Sequence, residues 1–225
     1  MDSLGPLLID LAIILILVLG IWRFTRPETA RGGNFAAAFA ILGAVVVVLS
    51  RGPLQDPATV LLALAAGAAA GCLVAVRVNM IQIPAMVAFQ HGAGGIAAFL
   101  TSFVELTRDR GELPAVGQWS GVLGIVIGAA TFSGSMVASA KLAGVMRQTP
   151  IILPKHDGFL ATTLAGIAAL GVLAGVAADS ALLAASLALI VLSIALGVVF
   201  SIRIGGADMP VLISLLNATA GLAAS

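Results

Sequence analysis

Long apolar stretches, broken only by short groups of charged, glycine or proline residues, fill this chain from end to end. Hydrocarbon offers a backbone amide no hydrogen-bond partner, so a bilayer-crossing segment must satisfy its own backbone as a helix or join a closed barrel. Barrel strands alternate apolar and polar side chains with a period of two, and runs such as LIDLAIILILVLGIW do not. A soluble domain is also excluded. The chain is 60% hydrophobic and 9% charged, whereas soluble domains hold about 45–50% and about 25%. The reading is all-α: a polytopic transmembrane bundle of about eight helices, forming a single transmembrane domain over residues 1–225.

A helix needs about 20 residues to cross the hydrocarbon core. Charged and Gly/Pro-marked loops divide the chain into spans at 6–24, 35–49, 58–76, 84–104, 119–142, 158–178, 180–202 and 209 to the end. Placing the N-terminus outside puts Arg23, Arg26, Arg31, Arg77, Lys141, Arg147, Lys155 and Arg203 inside. Arg51, Arg108 and Arg110 remain outside, and eight against three is the bias that loop cations impose. Asp2 stands where a signal peptide carries basic residues, so the first span reads as a retained helix. Cys72 has no intrachain partner for a disulfide, and a net charge of +1 suggests no nucleic-acid partner.

Offset by 126 residues, the chain resembles itself: VRVNMIQIPAMVAFQHGAGGIAA lies over IRIGGADMPVLISLLNATAGLAA. Arg77 aligns with Arg203, Pro84 with Pro210, Gly95 with Gly221, and His91 with Asn217. Both copies would enter the membrane from the inside, as a weak parallel repeat. Proline suits a first helical turn, where its missing N–H would be unpaired anyway. His91 and Asn217 each follow their proline by seven residues, about 10 Å into the membrane at 1.5 Å per residue.

Histidine titrates near physiological pH, and ionisable groups inside a membrane tend to mark ion or proton pathways. His91 is therefore the candidate proton carrier, against the plainer reading of a histidine bonded to a neighbouring helix. Asn217, at the matching depth, is its companion or else interhelical glue. Gly92, Gly94 and Gly95 are expected to leave room for water nearby. The string GAGGIA at residues 92–97 fits a dinucleotide pattern only formally, since it lies mid-membrane rather than after a strand. Gly67 with Gly71, Gly124 with Gly128 and Gly171 with Gly175 have the spacing that lets helix backbones approach. Lys155, His156 and Asp157 read as a solvated inside loop. Arg203, Gly205, Gly206 and Asp208 form a charged, glycine-rich mouth to the eighth span, suited to reporting to a soluble partner or simply to anchoring a helix end.

The strings IPAMVAFQHGAGGIAAF, ATFSGSMVASAKL, TPIILPKHDG and RIGGADMPVLISLLN occur in the order of similar strings in the β subunit of proton-translocating NAD(P) transhydrogenase, and the chain resembles that family throughout. The resemblance implies that inward proton flow is coupled to hydride transfer from NADH to NADP⁺. His91 matches the family's proton-channel histidine, and Asn217 its channel asparagine. Gly206, Ala207 and Asp208 match a Gly-Ala-Asp motif facing the nucleotide domain. The chain departs from the pattern after Asn217, where Ala218, Thr219, Ala220, Gly221 and Leu222 replace Ser-Tyr-Ser-Gly-Trp. The family has a ninth helix and an NADP(H)-binding domain beyond it, neither contained in this sequence. The expectation is thus a partial subunit that itself binds no cofactor, with NADP(H) and NAD(H) held in the complete complex. Implied partners are membrane lipid, the α subunit carrying the NAD(H) domain, the absent NADP(H) domain and a second copy in a homodimer, in the inner (cytoplasmic) membrane. A small-solute secondary transporter with parallel repeats and a purely structural subunit are the competing readings.

Overall fold

The computed structural model describes residues 4–52, 56–108, 113–176 and 179–224. Among them the fold is helical throughout. The elements are α1 (Leu4–Phe24), α2 (Pro27–Arg51), α3 (Pro57–Arg77), α4 (Ile83–Arg108), α5 (Ala115–Leu142), α6 (His156–Val176), α7 (Asp179–Ile202), a 3-10 turn (Gly206–Asp208) and α8 (Met209–Ala224). Seven helices are long and apolar enough to cross a membrane, and α8, with 16 residues, is shorter. This is a multi-pass helical membrane protein. Arg110 lies outside the described residues.

Two compact units divide the chain, residues 1–74 and 75–225. In the first, α2 begins at Pro27 rather than near residue 35. Its first turn holds Pro27 and Glu28, a proline at the start and a carboxylate near the positive end of the helix dipole. Arg31 and its neighbours therefore belong to helix, and only Thr25 and Arg26 join α1 to α2. Gly20 and Gly33 let that pair cross closely: a Cβ on Gly33 would stand 2.6 Å from the Gly20 carbonyl oxygen. Asp10, in α1, is neutralised by Arg51 at 2.8 Å, and Arg51 also donates to the Pro6 carbonyl at 3.0 Å. Asp56 caps α3 by accepting the Thr59 amide at 3.2 Å. Hydrogen bonds from Thr59, side chain before backbone, lower the Asp56 pKa below the ordinary carboxylate value.

In the second unit α5 is the central helix, touching α4, α6, α7 and α8. Ser139, late in α5, donates to the Ala85 carbonyl, early in α4, at 2.8 Å. Arg203, just past α7, meets Asp157, early in α6, at 2.9 Å. The start of α4, the end of α5, the start of α6 and the end of α7 thus share one end of the bundle. At the other end, Trp119 of α5 lies against Gly175 of α6, and Leu106 of α4 against Gly121 of α5. One apolar core joins Leu106, Ile125, Ile167, Ala174 and Leu189; a second joins Ala88, Ala138, Met209 and Leu212.

Helices α4 and α5 approach nearly backbone to backbone. A Cβ on Gly95 would stand 2.6 Å from the Phe132 amide nitrogen and 2.8 Å from the Gly128 carbonyl oxygen. Glycine is required at that crossing. Of the three spaced glycine pairs, Gly124 with Gly128 and Gly171 with Gly175 meet neighbouring helices, while Gly67 and Gly71 have nothing within 4 Å of an added Cβ.

Candidate functional site

His91 lies just over two turns into α4, on the face turned toward α5 and α8. A cavity of about 610 Å³ opens there, bounded on α4 by His91, Gly94, Gly95, Ala98, Thr101 and Ser102. Gly124, Ile127, Gly128 and Thr131 line it from α5, and Asn217 and Ala220 from α8. The space exists because nearly every lining residue is small. At about 30 Å³ per water, it has room for a connected chain of solvent. Gly94 is open to it, whereas Gly92 and Gly95 are pressed against α5 at Phe132 and Met136. Of the three glycines expected to make room, Gly92 therefore serves packing, and Gly95 both packs and lines.

Both ring nitrogens of His91 are buried without a hydrogen-bond partner among the described residues, as is Thr131 Oγ1. A neutral imidazole needs one acceptor and one donor, and a charged one needs two acceptors. Asn217 borders the same cavity, and its amide supplies both functions. Thr131, like Thr101 and Ser102, is a lining group that sequence reasoning missed. A threonine in an apolar helix normally bonds its own backbone, so nothing in the string ATFSGS singled it out.

The second group lies at the end of the bundle where α7 passes into α8. The Gly206 amide donates to the Gln148 carbonyl at 2.7 Å, and the Asp208 amide to that of Gly205 at 3.0 Å. A Cβ on Gly206 would stand 2.9 Å from Gln148 Cβ. The segment is held from below by Lys141, whose ammonium is fully buried and donates to the carbonyls of Ile202 at 2.7 Å and Ile204 at 2.6 Å. Arg203, Gly205 and Asp208 border a cavity of about 430 Å³ with Pro150 and Leu212. That cavity shares no lining residue with the one at His91.

The solvated loop expected at residues 155–157 is corrected in part. Asp157 is exposed and paired with Arg203, but His156 opens α6, is buried, and accepts the Leu153 amide on Nδ1 at 3.3 Å. Among the described residues no group of three or more His, Cys, Asp or Glu side chains gathers to hold a metal.

The model of the family described as NAD(P) transhydrogenase beta subunit matches residues 7–225. The NAD(P) transhydrogenase subunit beta of Rhodospirillum rubrum is 36% identical over 218 residues, covering 93% of this chain and 46% of the relative. The same subunit from a named strain of that organism gives the same figures. The chain spans about half the length of these relatives. With the family matched over nearly all of the chain, it belongs to the NAD(P) transhydrogenase beta subunit family.

Proposed function

We propose that this chain is the proton-conducting membrane part of a transhydrogenase that couples inward proton movement to hydride transfer from NADH to NADP⁺. The observation that carries the reading is the cavity lined by both His91 and Asn217, beside imidazole nitrogens that are buried without a hydrogen-bond partner among the described residues. A group of this kind can take up and release a proton only where its charged form is solvated, and the cavity beside it, mostly apolar but edged by Thr101, Ser102, Thr131 and Asn217, is the space from which water would reach it. NADP(H) and NAD(H) belong to the complete complex, with an α subunit and a second copy as partners, in the inner (cytoplasmic) membrane.

In this reading hydride passes between two bound nicotinamides, so the membrane residues make and break no C–H bond. They act by biasing a nucleotide domain between conformations, which requires that the two states interact differently with the membrane part. Protonation of His91 supplies the charge change. The segment holding Arg203, Gly205, Gly206 and Asp208 is the reporting element, since it joins α7 to α8 and carries exposed charge.

The test uses the assembled transhydrogenase in vesicles carrying a pH-sensitive dye. His91→Ala should abolish proton movement and strongly slow NADP⁺ reduction by NADH, while NADP(H) binding survives. Unchanged proton movement in that variant, at normal expression, sinks the mechanism. Asp208→Asn should slow or uncouple the cycle without altering water access to His91, read by hydrogen exchange.

A further inference from the structure

We infer that Glu105 is the proton-collecting group at the outer mouth of the His91 cavity. The inference rests on the proposed function and adds an entry point to it. On α4, Ala98, Thr101 with Ser102, and Glu105 follow His91 by seven, ten to eleven and fourteen residues, so they share one face of the helix. At 1.5 Å per residue Glu105 stands about 21 Å from His91 along the axis. The His91 cavity covers about three quarters of that distance, ending at Thr101 and Ser102.

Thr101 then lines a further cavity of about 460 Å³, whose walls include Val104, Glu105, Arg108 and Leu113. The two spaces thus share Thr101 as a wall, and the outer one is bordered by Glu105, exposed at the end of α4 opposite the Lys141 and Arg203 cluster. Between the two titratable groups this face presents small residues and a threonine. Arg108 is the other charged residue bordering the outer cavity among the described residues. Facing it, α5 carries no ionisable side chain before Lys141. Of the other helices touching α4, α8 has none, and α7 has only Asp179.

Protons are scarce in neutral solution, while a carboxylate at a pore mouth exchanges them readily with buffer. Glu105 takes a proton from outer buffer or water and passes it, through solvent beside Thr101, to a ring nitrogen of His91. The carboxylate returns to its starting state, so no other reactant is needed. With the outward N-terminus assigned from the loop cations, this end of α4 faces the side from which protons enter.

The experiment is Glu105→Gln in the assembled transhydrogenase, reconstituted in vesicles and driven forward in weakly buffered medium. Glu105 is exposed and glutamine has the same shape, so folding should be unaffected. Proton movement and NADP⁺ reduction should fall together by roughly ten-fold, modest for loss of a proton-transfer group. Glu105→Asp should recover most of the rate. Small carboxylic acid buffer on the Glu105 face, the vesicle lumen when the nucleotide face points to the medium, should restore Glu105→Gln, which no repair of a merely structural defect would do. A wild-type rate in weak buffer, a loss that buffer on the Glu105 face does not relieve, or relief by buffer on the nucleotide face alone would each overturn the inference. If His91→Ala is inactive while Glu105→Gln runs normally, the entry point alone is wrong. If His91→Ala still moves protons, the reading beneath it has failed.

Discussion

The ammonium of Lys141 has no carboxylate partner among the described residues and is held by two carbonyls, of Ile202 and Ile204, where α7 ends. A cation there is favoured by the helix dipole, and its hydrogen bonds are the stronger charge-assisted kind. Lys141→Met keeps the aliphatic stem but leaves two carbonyls without their donor, at about 1–3 kcal/mol for each that stays buried. The expected outcome is a clear fall in the apparent melting temperature of the purified complex in detergent, with the Arg203–Asp208 segment becoming more open to hydrogen exchange. Lys141→Arg should recover only part, because a planar guanidinium cannot converge on two carbonyls as a compact ammonium does. An unchanged melting temperature in Lys141→Met would show the contact to be dispensable. The sequence made Lys141 one of eight inside cations and no more. A lysine closing an apolar helix reads the same whether it snorkels to water or turns inward to cap a neighbour. His91 was legible for the opposite reason, as a titratable group amid apolar residues, where solvation is costly wherever it points.

At the scale of helices, the decisive contacts are those of glycine with backbone. Gly95 and Gly128 face each other so closely that a side chain on either must part α4 from α5, and forcing bulk into a packed site costs about 1–3 kcal/mol or more. Gly95→Val should therefore lower stability and, by moving α4, distort the cavity at His91. Gly67→Ala meets nothing and should be neutral or stabilise α3 by up to about 1 kcal/mol, the helix preference of alanine over glycine. Thermal melts of the two variants side by side check both, and equal stability would refute the assignment. Small-residue spacing revealed which helices can be approached, but the partner is a tertiary fact: Gly67 with Gly71 has the same spacing as Gly124 with Gly128 and a different outcome. Helix ends were legible where a proline follows a polar or charged connection, as at Pro84 and Pro210. The start of α2 was misread because Glu28 and Arg31 suggested a loop, when charge in a first helical turn is compatible with helix and Glu28 there favours it.

For the whole molecule, sidedness links every functional reading, since proton entry at Glu105 and reporting at Asp208 have meaning only on opposite faces. Within residues 75–225 the ends of α5 supply the test. Val116, near its start, and Val145, just past its end, are 77% and 84% exposed. Between them runs a helix of 28 residues, about 42 Å at 1.5 Å per residue, longer than the roughly 30 Å hydrocarbon core. Both positions therefore clear the membrane. The Val145 end carries Lys141, Arg147, Lys155 and Arg203, and loop cations favour the inside. Once Cys72→Ala removes the natural thiol, Val145→Cys should react with a membrane-impermeant maleimide only after the inner face is exposed. Val116→Cys should react in intact cells. Labelling with the opposite sidedness would reverse the bundle, place Glu105 on the inner side and require the proton to arrive by the Arg203–Asp208 end instead.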